Sequence, residues 1–129
     1  MKKITLEGAK ITNLEEFYNE IEKKLTKDLG WSIGRNLDAF NDVLRGGFGV
    51  HEYGESIALV WLDVTKSQAY LGHQERADYL QKRLDAGYPF NRESLREQLE
   101  LAQQGKGPTI FELILEIIKE HKHIELILQ

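Results

Sequence analysis

The sequence predicts a small three-layer α/β domain, a three-stranded parallel sheet with flanking helices. Three short segments near residues 3–6, 57–62 and 124–128 have strand character, and longer segments with helical spacing of their apolar residues separate them. Strands separated by helices are joined by crossovers, so they pair in parallel. The second segment is apolar throughout, which favours a central strand covered on both faces.

The composition is that of one ordinary globular domain, with 129 residues, 41% hydrophobic and 29% charged. The absence of cysteine excludes disulfides, thiolate nucleophiles and cysteine-ligated metals. No apolar stretch has the length of a signal-peptide core or a membrane span, so we expect a cytoplasmic protein without a membrane partner. The net charge of −4 argues against direct nucleic-acid binding and suits a basic partner.

Two helices are predicted between the first and second strands. The first begins at Asn13, a favourable N-cap with Glu16 three residues later. Its apolar stripe comprises Leu14, Phe17, Tyr18, Ile21 and Leu25. The second helix spans about 36–45 and stops at a pair of glycines, Gly46 and Gly47. A glycine-rich surface loop that carries Phe48 and Tyr53 follows it.

Three more helices are predicted between the second strand and residue 108. A short one starts at Asp63 or Thr65, both plausible caps, and another covers residues 76–84. Asn91 is expected to cap the third.

The last helix and strand have the clearest signals in the chain. Thr109 and Glu112 form a full capping-box pattern. Apolar residues cover most of the circumference of the helix that follows, so we expect it to be largely buried. Its narrow polar stripe comprises Glu112, Glu116, Lys119 and Glu120. The final strand is expected to be central at its apolar end.

The second helix has two chemically different sides. Its apolar side comprises Leu37, Phe40 and Leu44. Its polar side comprises Asp38, Asn41, Asp42 and Arg45. The two aspartates lie one turn apart, so their carboxylates are neighbours. Spacing alone leaves two interpretations open: a solvated face with Arg35 and Arg45 as counter-charges, or a binding surface.

The most distinctive stretch of the second helix is Gly34-Arg35-Asn36-Leu37-Asp38-Ala39-Phe40-Asn41-Asp42-Val43-Leu44. Together with Lys2-Lys3-Ile4 at the first strand and with the closing helix and strand, this stretch resembles the barstar family of intracellular inhibitors of a secreted ribonuclease. It matches the family pattern Tyr-Gly-x-Asn-Leu-Asp-Ala-hydrophobic-x-Asp except for the first tyrosine. About two-thirds of the residues, at the two ends of the chain, are covered.

The resemblance implies that the second helix and the loop before it block the active site of a basic ribonuclease or a related toxin. Acidic side chains would replace the phosphates of the substrate there. Asp38 and Asp42 match the two family aspartates, and Glu116 and Glu120 match two glutamates of the last helix. The implied role is that of an immunity protein or antitoxin.

The predicted partner-binding face includes four further residues. Asn41 stands where the family has an aromatic residue between the two aspartates. Trp31 and Phe48 are the aromatics nearest to two other aromatic positions of the family, and Arg35 completes the set.

The middle of the chain is longer than in the best-known member of the family. We therefore predict a single barstar-like domain over residues 1–129 with a helical insertion at about 63–108. Because fold does not determine function, an alternative stays open. In that alternative an immunity or adaptor protein of the same fold binds a non-ribonuclease partner through the inserted helices.

The candidate residues for a catalytic or metal site are the four histidines, His51, His73, His121 and His123. Only His121 and His123 are close in sequence, and their spacing suits one face of a strand. A histidine near a helix C-terminus is also favoured by the helix dipole. No motif pairs a nucleophile with a base. The sequence therefore predicts a protein that is not an enzyme and that uses no cofactor and no metal ion.

Overall fold

The fold is described from a computed structural model, which defines residues 1–26, 34–46, 51–87 and 89–129. Its strands are β1 (Lys2–Glu7), β2 (Ile57–Leu62) and β3 (Ile124–Leu128), which form one sheet in the order β1-β2-β3. Both strand pairs are parallel. The predicted α/β class, with a three-stranded parallel sheet and flanking helices, is confirmed.

The position of β3 differs from the prediction. Strand β2 is central, as expected, but β3 is an edge strand. The apolar residues of β3 are explained by the helices that cover one face of the sheet, not by a strand on each side. Ile124 and Leu126 pack into the core cluster beneath those helices. A side chain points out of the sheet plane, so its burial does not report lateral neighbours.

The helices follow the predicted order. Within the described residues they are α1 (Leu14–Leu25), α2 (Leu37–Arg45), α3 (Val64–Tyr70), α4 (His73–Asp85), α5 (Arg92–Gln103) and α6 (Ile110–Lys119). A 3-10 turn, Gly8–Lys10, follows β1. No helix in these described ranges combines the length and apolarity that crossing a membrane requires.

Two of the four predicted helix caps form. Asn13 accepts the backbone N–H of Glu16 at 2.8 Å, and Thr109 and Glu112 complete a capping box. Asp63 and Asn91 precede α3 and α5 but make no capping bond. Their φ angles of 49° and 57° lie in the left-handed region, whereas a capping side chain normally requires extended backbone. Short polar residues tolerate this conformation, so both residues serve as turn residues instead.

The main core lies on one face of the sheet and includes side chains from α1, α2 and α6. At its centre, Phe17 packs edge-on against Phe40, with ring centroids 5.0 Å apart, and stacks on Trp61 at 5.9 Å. On the opposite face, Val60 is buried, whereas Ala58 and Ile127 are only partly buried. The apolar side of α2 is thus held against the sheet, and its polar side faces away.

Helices α4 and α5 pack on each other and enclose a second, smaller core. It comprises Ala77, Leu80, Leu84, Leu95 and Ala102. The carboxylate of Glu75, at the start of α4, accepts the backbone N–H of Leu14 at the start of α1. This bond attaches the helical pair to the main body of the domain.

Candidate functional site

The exposed side of α2 is acidic. Asp38 and Asp42 are both exposed, whereas Phe40, Val43 and Leu44 are buried, so the predicted placement of both aspartates on an exposed helix face is confirmed. Asp42 forms an ion pair with Arg45 at 3.2 Å, and the two side chains are 60% and 54% exposed. An ion pair this exposed contributes little free energy, so a cation from a partner can replace Arg45.

The N-terminal end of α2 is fixed to α1. Asn36 caps the helix by accepting the N–H of Ala39 at 2.7 Å. Its neighbour Arg35 donates to Asn19 Oδ1 at 2.7 Å and to Glu22 Oε2 at 3.3 Å, both on α1. A guanidinium that spans two side chains of another helix restrains the segment that carries it. Arg35, a predicted partner-binding residue, thus restrains the N-terminal end of α2 relative to α1.

Three histidines hold the C-terminal end of α2. His51 Nε2 and His123 Nε2 lie 3.2 Å and 2.8 Å from the carbonyl oxygen of Leu44, which can only accept, so both rings donate. His121 Nε2 lies 2.6 Å from Asn41 Oδ1 and donates to it in the same way. We call His51, His121 and His123 the histidine clasp. Because the clasp and Arg35 act at opposite ends, α2 is restrained along its whole length.

The histidine clasp corrects one expectation from the sequence. His121 and His123 lie in the turn between α6 and β3 rather than on one face of a strand. Their side chains reach α2 because this turn lies beside its C-terminus. His73 lies elsewhere and bonds to the carbonyl of Gly107 at 2.9 Å. Among the described residues, no group of His, Asp or Glu side chains converges as a metal site.

The two predicted glutamates, Glu116 on α6 and Glu120 at its C-cap, are both exposed, but they line different cavities. Glu120 lines a shallow cavity of about 360 Å³ together with Arg45 and His121. Glu116 lines another, of about 230 Å³, with Leu115 among its neighbours. Glu120 therefore lies beside the C-terminal end of α2. The convergence of all four carboxylates on one partner stays a prediction.

The aromatic part of the predicted face is defined only in part. Trp31 and Phe48 lie outside the described residues. Tyr53, which was not among the predicted partner-binding residues, is 78% exposed and lines the same cavity as Arg45 and Glu120. The sequence could have indicated Tyr53 as a partner-binding residue, because it lies in the glycine-rich loop directly after the acidic helix.

The free energy of unfolding should depend on pH through His121. Burial, together with the nearby His123 and Arg45, lowers the pKa of His121 below its ordinary value of 6.5, while Glu120 opposes the shift. The folded state therefore favours the neutral ring, and stability is lost as pH falls through 6.5 toward the lowered value. We expect the free energy of unfolding to fall less between about pH 7.5 and pH 5 in His121→Gln than in the parent, as measured by urea denaturation.

The control for this experiment is His73→Gln, which removes a histidine distant from the clasp. Its pH dependence should follow that of the parent. Equal slopes in the parent and in His121→Gln would contradict the contribution of His121 to the pH dependence.

The structure defines an α/β domain that carries a braced acidic helix on its surface. A family model described as barstar (barnase inhibitor) matches residues 1–88. The chain therefore belongs to the barstar family, which is a family of inhibitors rather than of enzymes. The match includes α2 and extends through α4, while α5, α6 and β3 lie beyond it. No curated protein matches the sequence.

Proposed function

We propose that this protein inhibits a basic ribonuclease by inserting the acidic face of α2 into its active site. One observation carries the proposal: Asp38 and Asp42 are exposed one turn apart on a helix whose two ends are bonded to other parts of the domain. Membership of an inhibitor family supports it. In this role the protein would be a cytoplasmic immunity protein or antitoxin.

The chemistry of the target explains the acidic face. A ribonuclease must bind phosphate, and clustered Lys, Arg and His side chains serve that purpose. Carboxylates accept hydrogen bonds from the same groups, so Asp38 and Asp42 can occupy phosphate positions. The net charge of −4 would also attract a basic enzyme at long range, an effect that salt weakens.

The bracing of α2 has an energetic consequence for binding. A surface that is ordered before association does not lose that conformational entropy when the complex forms. The bonds from Arg35 to α1 and from the histidine clasp to Leu44 and Asn41 order the helix in the free protein. These bonds therefore favour tight binding by lowering the entropy that is lost on association. Glu120 and Tyr53 extend the proposed face beyond the C-terminal end of α2.

A second candidate function rests on the middle of the chain. We retain the proposal that residues 63–108 are a helical insertion, and α4 and α5 within it enclose a core of their own. Helix α5 lies beyond the family match and carries Leu101, which is 44% exposed. These features favour an adaptor that binds a non-ribonuclease partner through the inserted helices.

An inhibition assay tests the proposed function. The protein is co-purified with the product of the neighbouring open reading frame, and RNA cleavage by that product is then measured with increasing amounts of the protein. We expect inhibition that is complete near one equivalent and association that slows as salt rises. The protein alone, with divalent metals added, should cleave neither RNA nor simple phosphate esters. A stable complex with undiminished RNA cleavage would contradict the proposal and favour the adaptor.

A further inference from the structure

The outer side of β3 carries backbone groups without a described partner. On its inner side, Gln129 N–H donates to the carbonyl of Trp61 at 2.9 Å, and the carbonyl of His123 accepts the N–H of Ile57 at 3.1 Å. Successive residues of a strand direct their peptide groups to opposite sides. Since residues 123 and 129 face β2, residues 124, 126 and 128 must face away from it.

Most of these outward N–H and C=O groups can form a further hydrogen bond. The N–H of Ile124 donates to the carbonyl of His121 at 3.0 Å in the preceding turn. In the described part of the chain, no strand pairs with the outer side of β3. Two donors, on Leu126 and Leu128, and three acceptors, on Ile124, Leu126 and Leu128, therefore point outward.

The opposite edge of the sheet differs in its protection. By the same alternation, Lys3, Thr5 and Glu7 face outward from β1. The N–H of Glu7 donates to Glu20 Oε2 at 2.7 Å, and Lys3 supplies the charge that commonly prevents edge pairing. The outward residues of β3 are all aliphatic, and Leu128 is 43% exposed. In the described part of the chain, the outward positions of β3 thus have neither the charged residue nor the side-chain hydrogen bond that protects β1, and the charge of β3 lies on Glu125, whose peptide group faces β2.

We propose that the β3 edge pairs with the β3 edge of a second copy of this chain in a two-fold symmetric dimer. Symmetry requires the paired strands to be antiparallel. With the axis at Ile127, residue 126 lies opposite residue 128 of the other copy. Each copy then donates from Leu126 and from Leu128 and accepts at both of their carbonyls, which uses every outward N–H. Each exposed Leu128 gains a Leu126 as its cross-strand neighbour.

Charge repulsion favours the register with the axis at Ile127 over the register with the axis at Leu126. With the axis at Leu126 instead, the two Glu125 side chains would be diagonal neighbours and would repel each other. With the axis at Ile127, Glu125 lies opposite Gln129, and the two glutamates are about 13 Å apart along the strands. The contact is short, so we expect a weak dimer with a dissociation constant of about 0.1 mM.

Cysteine cross-linking tests the register. Because the chain has no cysteine, Ile127→Cys introduces a single thiol. In the proposed register, residue 127 faces itself in a pair without hydrogen bonds, where Cα atoms are about 4.5 Å apart and a disulfide fits. The control Glu125→Cys places its thiols too far apart. We expect disulfide-linked dimers to form under mild oxidation in the first variant and not in the second. Equal cross-linking, or none in either, would overturn the proposal.

A second measurement uses proline at the two edges. Leu128→Pro removes only an outward N–H, which an edge strand tolerates, whereas the control Lys3→Pro makes the same change on β1. By sedimentation equilibrium, we expect the dissociation constant of the dimer to rise at least about tenfold in Leu128→Pro and to stay unchanged in Lys3→Pro. Circular dichroism confirms that each variant is folded. A parent protein that is monomeric up to about 1 mM, or that binds an extended peptide at this edge instead, contradicts the dimer.

Discussion

Asp42→Ala is expected to weaken binding to the cognate ribonuclease by about 100-fold or more, the largest effect of any single substitution on the acidic face. Asp42 lies midway along the exposed side of α2, where a partner would remove it most fully from water. Without its carboxylate, a cation of the enzyme would stay buried and unmatched. Asp38→Ala should follow, and Glu116→Ala and Glu120→Ala should cost less.

A matched control separates this local effect from the change in net charge. Glu97→Ala on α5 removes the same charge from an exposed position, so it should alter salt dependence slightly and affinity very little. All variants are titrated against the partner at low and high salt. If the four acidic-face variants bind like the parent while changes within residues 64–104 abolish binding, the inserted helices are the site.

Gly8→Ala is expected to lower the free energy of unfolding by about 3 kcal/mol or more. A Cβ at this position would overlap the carbonyl oxygen of Leu62 and would lie 2.7 Å from Ser67 Oγ and 2.9 Å from Trp61 Nε1. These atoms form a buried network, because Trp61 Nε1 donates to Ser67 Oγ at 2.9 Å and Ser67 donates to the carbonyl of Gly8, also at 2.9 Å. The added methyl group must break it or move the end of β1.

Gly72→Ala is the control for this substitution. The nearest atom to a Cβ at Gly72 is the carbonyl oxygen of Ala69 at 3.6 Å, which is an ordinary contact. Its effect on the free energy of unfolding should stay within about 1 kcal/mol, since only an N-cap preference changes. Urea denaturation measures both variants. A Gly8→Ala protein as stable as Gly72→Ala would show that the space around Gly8 is not tightly packed.

Local patterns in the sequence were sufficient to predict the elements of the fold. The apolar segment 57–62 forms strand β2, which is buried on one face and largely buried on the other, and a strand covered on both faces needs no alternation of polar and apolar residues. Thr109 and Glu112 mark the start of α6, because a capping box uses only residues within the first turn. The spacing of Leu37, Phe40 and Leu44 predicted that Asp38 and Asp42 lie on the exposed side of α2, because residues three and four apart share one side of a helix.

Contacts between residues distant in sequence were decided only by the tertiary structure. Nothing near Arg35 indicates that it would bind Asn19, and nothing near His123 indicates that it would reach Leu44, 79 positions away. The edge position of β3 was likewise decided only by the tertiary structure. An apolar segment indicates that other elements cover a face of the strand, but it does not indicate which strands lie beside it. Sequence periodicity encodes which side of an element is buried. Which other element buries or restrains that side depends on the crossover connections between the strands, and only the assembled fold shows these.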